Sequence, residues 1–188
     1  MRSLLRVFRS LPALCVVMAV MTGCLSPSPE PPRPHDCPSE SLLVNTSVFP
    51  EGTVADEPMS SLPDGGGTSI GVDMGNGEID VSQLIYPYRT PKGAEGRFDE
   101  ELQGVTKGYG EMTPIDLPDL ALAADRYDFR CSDTETHPRC FYLARYDNFY
   151  IELILRTRSL DTPVDVLIPA IQDIDGRMTK CFEEHPAP

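Results

Sequence analysis

The sequence predicts an α+β domain: an antiparallel sheet with a late β-hairpin and two helices, the last of them C-terminal, stapled by disulfides. Three observations predict it. Apolar runs on either side of Asp147-Asn148 pair into a hairpin over residues 140–158. Val164, Leu167, Ile171, Ile174, Met178 and Cys181 then recur at three- and four-residue spacing, the pattern of an amphipathic helix over residues 163–182. Upstream, Glu78-Ile79-Asp80-Val81-Ser82 alternates strictly, as a half-buried strand does.

The elements follow in order. Residues 42–64 scatter Val44, Val48, Phe49 and Met59 among Pro and Ser and carry weak signals. Asn45-Thr46-Ser47 matches a glycosylation sequon, a short pattern that chance explains. Asp64 to Gly67 reads as a loop and residues 68–74 as a strand. Gly75-Asn76-Gly77 signals a turn into a second strand running through Tyr86. Thr90-Pro91 offers an N-cap followed by proline at the first helical position. Phe98, Leu102 and Val105 then share one face of a short helix weakened by Gly93, Gly96 and Gly104. Residues 126–131 alternate, with Tyr127, Phe129 and Cys131 on one side and Arg126, Asp128 and Arg130 on the other.

In the late hairpin, pairing about Asp147-Asn148 in a type I′ turn puts Cys140, Tyr142, Ala144, Tyr146, Phe149, Ile151, Leu153 and Leu155 on one apolar face. The other face mixes Phe141, Leu143, Arg145, Tyr150, Glu152 and Ile154, with Arg145 and Glu152 diagonal and able to pair. A slip by one residue would drive charge into the core, so the register is well specified. Thr162-Pro163 repeats the cap-and-proline start for the last helix, in which Pro169 should introduce a kink or a restart. Helices are expected on one face of the sheet.

The 188 residues carry 16 Lys+Arg against 29 Asp+Glu, a net charge of −13, which argues against binding nucleic acid by phosphate neutralisation. A single long apolar run argues against a multi-span membrane protein. That run, residues 11–21, follows Arg2, Arg6 and Arg9 and is too short for a permanent span, as in a secretory signal. Met21-Thr22-Gly23-Cys24 closes it. This stretch resembles the lipobox of bacterial lipoproteins, with Met where Leu is commoner. The resemblance covers about the first 24 residues. It implies a signal peptide over residues 1–23, diacylglyceryl transfer to the Cys24 thiol, cleavage before Cys24 and acylation of the new amino terminus. Leu25, rather than Asp, resembles the outer-membrane sorting pattern where two membranes exist.

Two or three acyl chains on one residue make a durable anchor to the membrane, where a single chain holds marginally. Loss of the signal arginines leaves −16, so the mature chain should stand off anionic lipid. Residues 24–36 hold Pro27, Pro29, Pro31, Pro32 and Pro34 and form a tether. In polyproline II it reaches roughly 37 Å. Residues 37–188 form the single extracytoplasmic domain. Its order of elements is similar to small exported lipoprotein domains of bacteria, a likeness of architecture that carries no activity.

Once the signal is removed and Cys24 is lipidated, Cys37, Cys131, Cys140 and Cys181 remain. An even number in an exported chain reads as disulfides, with three connectivities open. Cys131 and Cys140 end one strand and begin the next, so they pair, leaving Cys37 with Cys181. Zinc would need close ligand pairs, and His35, His137 and His185 are too scattered, so no metal or cofactor is expected. Gly-x-Ser-x-Gly, a Ser-x-x-Lys box, a Cys–His nucleophile and a phosphate loop are all missing. Residues 73–80 fail as an EF-hand because Gly75 and Gly77 stand where oxygen ligands belong.

Glu78 and Asp80, two apart on one strand face, are the least poor catalytic candidates, although a solvated strand face accounts for them better. Tyr86, Tyr88 and Tyr109 sit in loop-like surroundings, as a contact surface or as a cap on the core. The leading reading is a non-enzymatic binding module of the cell envelope with a protein or polymer partner. Its alternatives are a hydrolase of envelope polymers acting through acidic residues and a structural accessory subunit.

Overall fold

The computed structural model describes residues 35–61, 69–109, 112–117, 120–132, 138–158 and 163–187. The signal, Cys24, most of the tether, the loop at Asp64, His137 and Thr162 lie outside them. Two 3₁₀ turns, Ser39–Leu42 and Thr46–Val48, open the described chain. Strands β1 (Val54–Ala55), β2 (Met59–Ser61), β3 (Ser69–Gly75) and β4 (Ile79–Pro87) follow. Helix α1 (Pro91–Gly108), β5 (Met112–Pro114), β6 (Arg126–Ser132), β7 (Arg139–Tyr146), β8 (Phe149–Thr157) and α2 (Pro163–Glu184) complete it. The fold is α+β. All eight strands form one antiparallel sheet in the order β1-β3-β4-β8-β7-β6-β5, with β2 also on β3.

The late hairpin has the expected register: Tyr146 faces Phe149 and Cys140 faces Leu155. Its turn differs from type I′. Only Asp147 takes a left-handed φ, 48°, whereas type I′ needs two such residues. Asn148 is instead used through its side chain, which is 1% exposed. Its Oδ1 accepts from the His35 N–H at 3.1 Å, and its Nδ2 donates to the Tyr88 carbonyl at 3.0 Å.

The two helices lie on opposite faces, which corrects the one-face expectation. Tyr142, Ala144, Tyr146, Ile151, Leu153 and Leu155 pack with Leu167, Ile171, Ile174 and Met178 of α2. Phe141, Leu143 and Tyr150 pack with Ala94, Phe98 and Val105 of α1. The mixed face of the hairpin is therefore a second interior. At about 25 cal/mol per Å², the hydrophobic effect drives burial on both sides, and no helix is needed elsewhere. Arg145 also departs from its expected partner. It lies 3.4 Å from Asp125, and the Asp125 N–H donates to the Arg145 carbonyl at 2.9 Å.

Helix α1 is longer than expected, at 18 residues, and starts as its cap dictates: Thr90 Oγ1 accepts from the Gly93 N–H at 3.2 Å. Arg126 of β6 draws the helix inward, with its guanidinium 4.5 Å from the Phe98 ring and 3.0 Å from Asp99. Helix α2 runs as one element through Pro169. Pro169 and Asp165 are both exposed, so the carbonyl of Asp165, left without its donor, faces water. The expected restart does not occur.

Carboxylates of α2 pin both flanking segments. Asp173 Oδ2 accepts from the Asn45 N–H at 3.0 Å and from Arg177 Nε at 2.8 Å. Asp175 Oδ1 accepts from the Ala123 N–H at 2.8 Å and the Tyr146 hydroxyl at 3.1 Å. On the sheet, Gln83 is fully buried and stands in for a strand partner. Its Oε1 accepts from the Val44 N–H at 2.7 Å and its Nε2 donates to the Leu42 carbonyl at 3.1 Å.

Both expected disulfides form. Cys131 and Cys140 are directly opposite in the β6–β7 register, with Cα atoms 4.1 Å apart. Cys37 and Cys181 join the first described segment to α2 across a sequence separation of 144, with Cα atoms 6.0 Å apart.

Two outcomes test this packing. Gln83→Leu leaves the Leu42 and Val44 backbone groups buried without partners and should cost about 2–4 kcal/mol in urea unfolding. Loss of the long bridge in Cys37→Ser with Cys181→Ser should cost about 4–5 kcal/mol, and non-reducing peptide mapping of the parent should recover both pairs.

Candidate functional site

Glu78 and Asp80 do not converge. Glu78 precedes β4 and lines a cleft of about 420 Å³ with Asn76, Thr157, Arg158 and Val166. Asp80 faces Gly75 and Arg156 across the sheet and lines a different cleft, of about 440 Å³, with Asp56, Asp73 and Ser82. In that cleft the Ser82 hydroxyl donates to Asp73 Oδ1 at 2.5 Å. The turn that separates β3 from β4 sets this arrangement: Gly77 takes φ 86°, and the Glu78 N–H donates to Asn76 Oδ1 at 3.0 Å. Among the described residues, no group of three or more His, Cys, Asp or Glu side chains is placed to hold a metal.

A larger concavity, about 510 Å³, lies along α2 beside the Cys37–Cys181 bridge. Ser41, Gln172, Asp173, Arg177, Lys180 and His185 line it. Its cations are partly engaged: Arg177 by Asp173 and by the Ser41 carbonyl at 3.2 Å, Lys180 by Glu184 at 3.8 Å. What remains is a mixed-charge groove suited to polar contacts.

Next to the groove, His35 is bound to the body of the domain. Its ring stacks on Phe182 with centroids 4.0 Å apart, and Nδ1–H donates to the His185 carbonyl at 2.7 Å. Its Nε2 lies 3.6 Å from Asp147 Oδ2. The last residues ahead of Cys37 are thus seated between the end of α2 and the β7–β8 turn.

The one strongly displaced carboxyl lies elsewhere, under α1. Glu152 is 6% exposed, and burial, with Glu101 nearby, pushes its pKa up from the usual 4.5 to about 7. Arg97 opposes that shift. The Arg97 guanidinium pairs with Glu101 at 2.5 Å and sits 5.2 Å from the Tyr86 ring centroid. Tyr86 and Tyr150 pack at 5.6 Å between centroids, and the buried Tyr150 hydroxyl has no partner among the described residues. Burial pushes Tyr86, Tyr88 and Tyr150 upward as well, so all three stay neutral at physiological pH. Tyr86 and Tyr88 therefore border an internal polar cluster. Tyr109 stacks on Phe141 at 4.7 Å and remains 41% exposed.

Periodicity placed Glu152 correctly on the second face of the hairpin. What it lacked was the second helix that covers that face. The available signal was the helical stripe of Phe98, Leu102 and Val105, whose partner surface had to be this one.

No family model and no curated protein matches the chain. Two solved structures resemble it. One is the extracellular domain of PknH from Mycobacterium tuberculosis, at 10% identity and a TM-score of 0.47, covering 77% of this chain and 94% of that one. The other is an uncharacterized protein, the Rv0999 ortholog, from Mycobacterium smegmatis, at 11% identity and 0.45, covering 77% and 96%.

The buried carboxyl sets a stability profile. The folded chain holds a proton on Glu152 that the unfolded chain releases above about pH 4.5, so stability falls as pH rises towards 7 and the deficit is constant beyond. Glu152→Gln should match the parent below about pH 4.5 and exceed it by up to roughly 3 kcal/mol at pH 8, read by denaturant unfolding across pH.

Proposed function

We propose that this chain is a lipid-anchored, extracytoplasmic binding module of the cell envelope, held to the membrane through Cys24 and presenting its domain to an envelope protein or polymer. The observation that carries this reading is the pairing of all four cysteines from Cys37 onward into two disulfides. Such bridges persist in oxidising compartments outside the cytoplasm. The charged, short apolar and lipobox-like stretch ahead of them supplies the matching address, with lipid in place of a spanning helix. Among the described residues, no helix is long and apolar enough to cross a membrane.

Binding is favoured over hydrolysis by where the acids lie. A glycosidase needs two carboxyl groups across one scissile bond. Glu78 and Asp80 line separate clefts, and Glu152 is covered by α1. The groove along α2 is the concave surface best suited to a partner, since it joins the bridge to the segment from which the tether arrives.

Conversion of Cys24→Ala should abolish the acyl mass increment on the mature chain and move the protein from the detergent to the aqueous phase. A mutant that still partitions as an acylated protein would overturn the anchor. Separately, Glu78→Gln and Asp80→Asn should leave envelope-polymer binding intact, and turnover of such a polymer that either change abolishes would make the domain a hydrolase.

A further inference from the structure

We propose that Glu152 and helix α1 form a proton-operated latch, in which α1 is closed on the sheet while the Glu152 carboxyl is protonated and is released when that proton leaves. The inference stands apart from the lipid-anchor reading and would hold for the domain in any compartment.

The argument starts from the two faces of β8. Alternate residues Tyr150 and Glu152 point away from the α2 core and into the layer beneath α1. Both are buried, at 0% and 6% exposure, and each is a polar group in an apolar layer built from Ala94, Phe98, Phe141 and Leu143. The Tyr150 hydroxyl has no partner, and none of the described residues donates a hydrogen bond to the Glu152 carboxylate. A neutral carboxyl is tolerated in such a layer at modest cost. An ionised one is not, unless a cation compensates it.

The charged groups that face Glu152 do not supply that compensation. From α1 come Arg97 and Glu101. Arg97 is committed to Glu101 at 2.5 Å and to Glu100 at 3.5 Å, so its charge is shared, while Glu101 repels a carboxylate beneath it. β4 contributes Tyr86, and β8 itself Tyr150, both neutral. Leu84 of β4 and Leu143 of β7, directly opposite Glu152, bring no charge. Arg145, the nearest cation on β7, is held by Asp125.

An ionised Glu152 therefore gains most by reaching water, and the element between it and water is α1. That helix can yield more easily than α2. It carries Gly93, Gly96, Gly104 and Gly108, and its buried contacts are few, whereas α2 is fastened by a disulfide and by Asp173 and Asp175. The usual range for a carboxyl, near 4.5, is restored in the open state, while the closed state holds its proton to about 7. Opening thus responds across the range between mildly acidic and neutral surroundings.

Amide hydrogen exchange on the full chain from pH 5 to 8, corrected for intrinsic rates, tests this. Opening of α1 should rise about tenfold per pH unit and level off near pH 7, at rates at least about tenfold above those of α2. In Glu152→Gln the α1 profile should be flat. Glu101→Gln removes the repelling charge and frees Arg97, so the levelling point should move to lower pH, which tests the latch with Glu152 itself in place. Equal exchange in α1 and α2, or the same pH profile in the parent and Glu152→Gln, would overturn the proposal.

Discussion

Everything in this domain hangs on the register of β7 with β8. Tyr146 against Phe149 decides, residue by residue, which side chains meet α2 and which meet α1. Both strands are buried on both faces, so neither has a solvent side that could absorb an error. A shift by one residue would exchange the aliphatic set for one containing Glu152 and Arg145, an exchange that several buried-charge penalties forbid. The turn that holds this register is itself held. Asn148 ties it to Tyr88 and to His35, and Asp125 accepts from the Asp147 N–H at 2.7 Å.

Polar groups in the interior divide into two kinds. Gln83, Asp173 and Asp175 are matched to backbone donors or acceptors and act as fasteners for segments that lack regular structure of their own. Glu152 and Tyr150 are unmatched. The first kind explains how residues 41–45 and 120–125, with little hydrophobic pattern, are nonetheless held against the sheet and α2. The second kind stores an unfavourable interaction in one place, under one helix.

Much of the fold was legible in the sequence because it follows from local periodicity. The late hairpin, both helix starts, the turn at Gly77 and the strict alternation after Glu78 are each written in fewer than twenty residues. Both disulfides were legible because the strand order left a single sensible partition of four cysteines. What escaped was set by distant parts of the chain. Strands β1, β2 and β5 are two or three residues long, too short for any alternation to register, and exist because β3 and β6 offer them an edge. The placement of α1 opposite α2 depends on Phe141, Leu143 and Tyr150 being apolar enough to require a cover, which a hairpin with one charged residue at each of two positions disguised. Arg145 looked like a partner for Glu152 across the strands, yet Asp125 reaches it from a loop. The candidate acids were legible as residues but not as a site, because the turn at residues 75–77 sends Glu78 and Asp80 to different sides of the sheet's rim.

The Cys37–Cys181 bridge also decides how the domain bears load. Tension applied to the chain ahead of Cys37 crosses one covalent bond into the last turns of α2. If the chain is pulled between its two ends, the bridge carries the force and the intervening residues, with the whole sheet among them, are short-circuited. Strands that would otherwise unzip in sequence from β1 feel no pull. The domain is thus mechanically a rigid bead threaded at one point, its resistance to stretching set by sulfur chemistry instead of hydrogen bonds. Reduction of that single bond would convert it into an extensible spring.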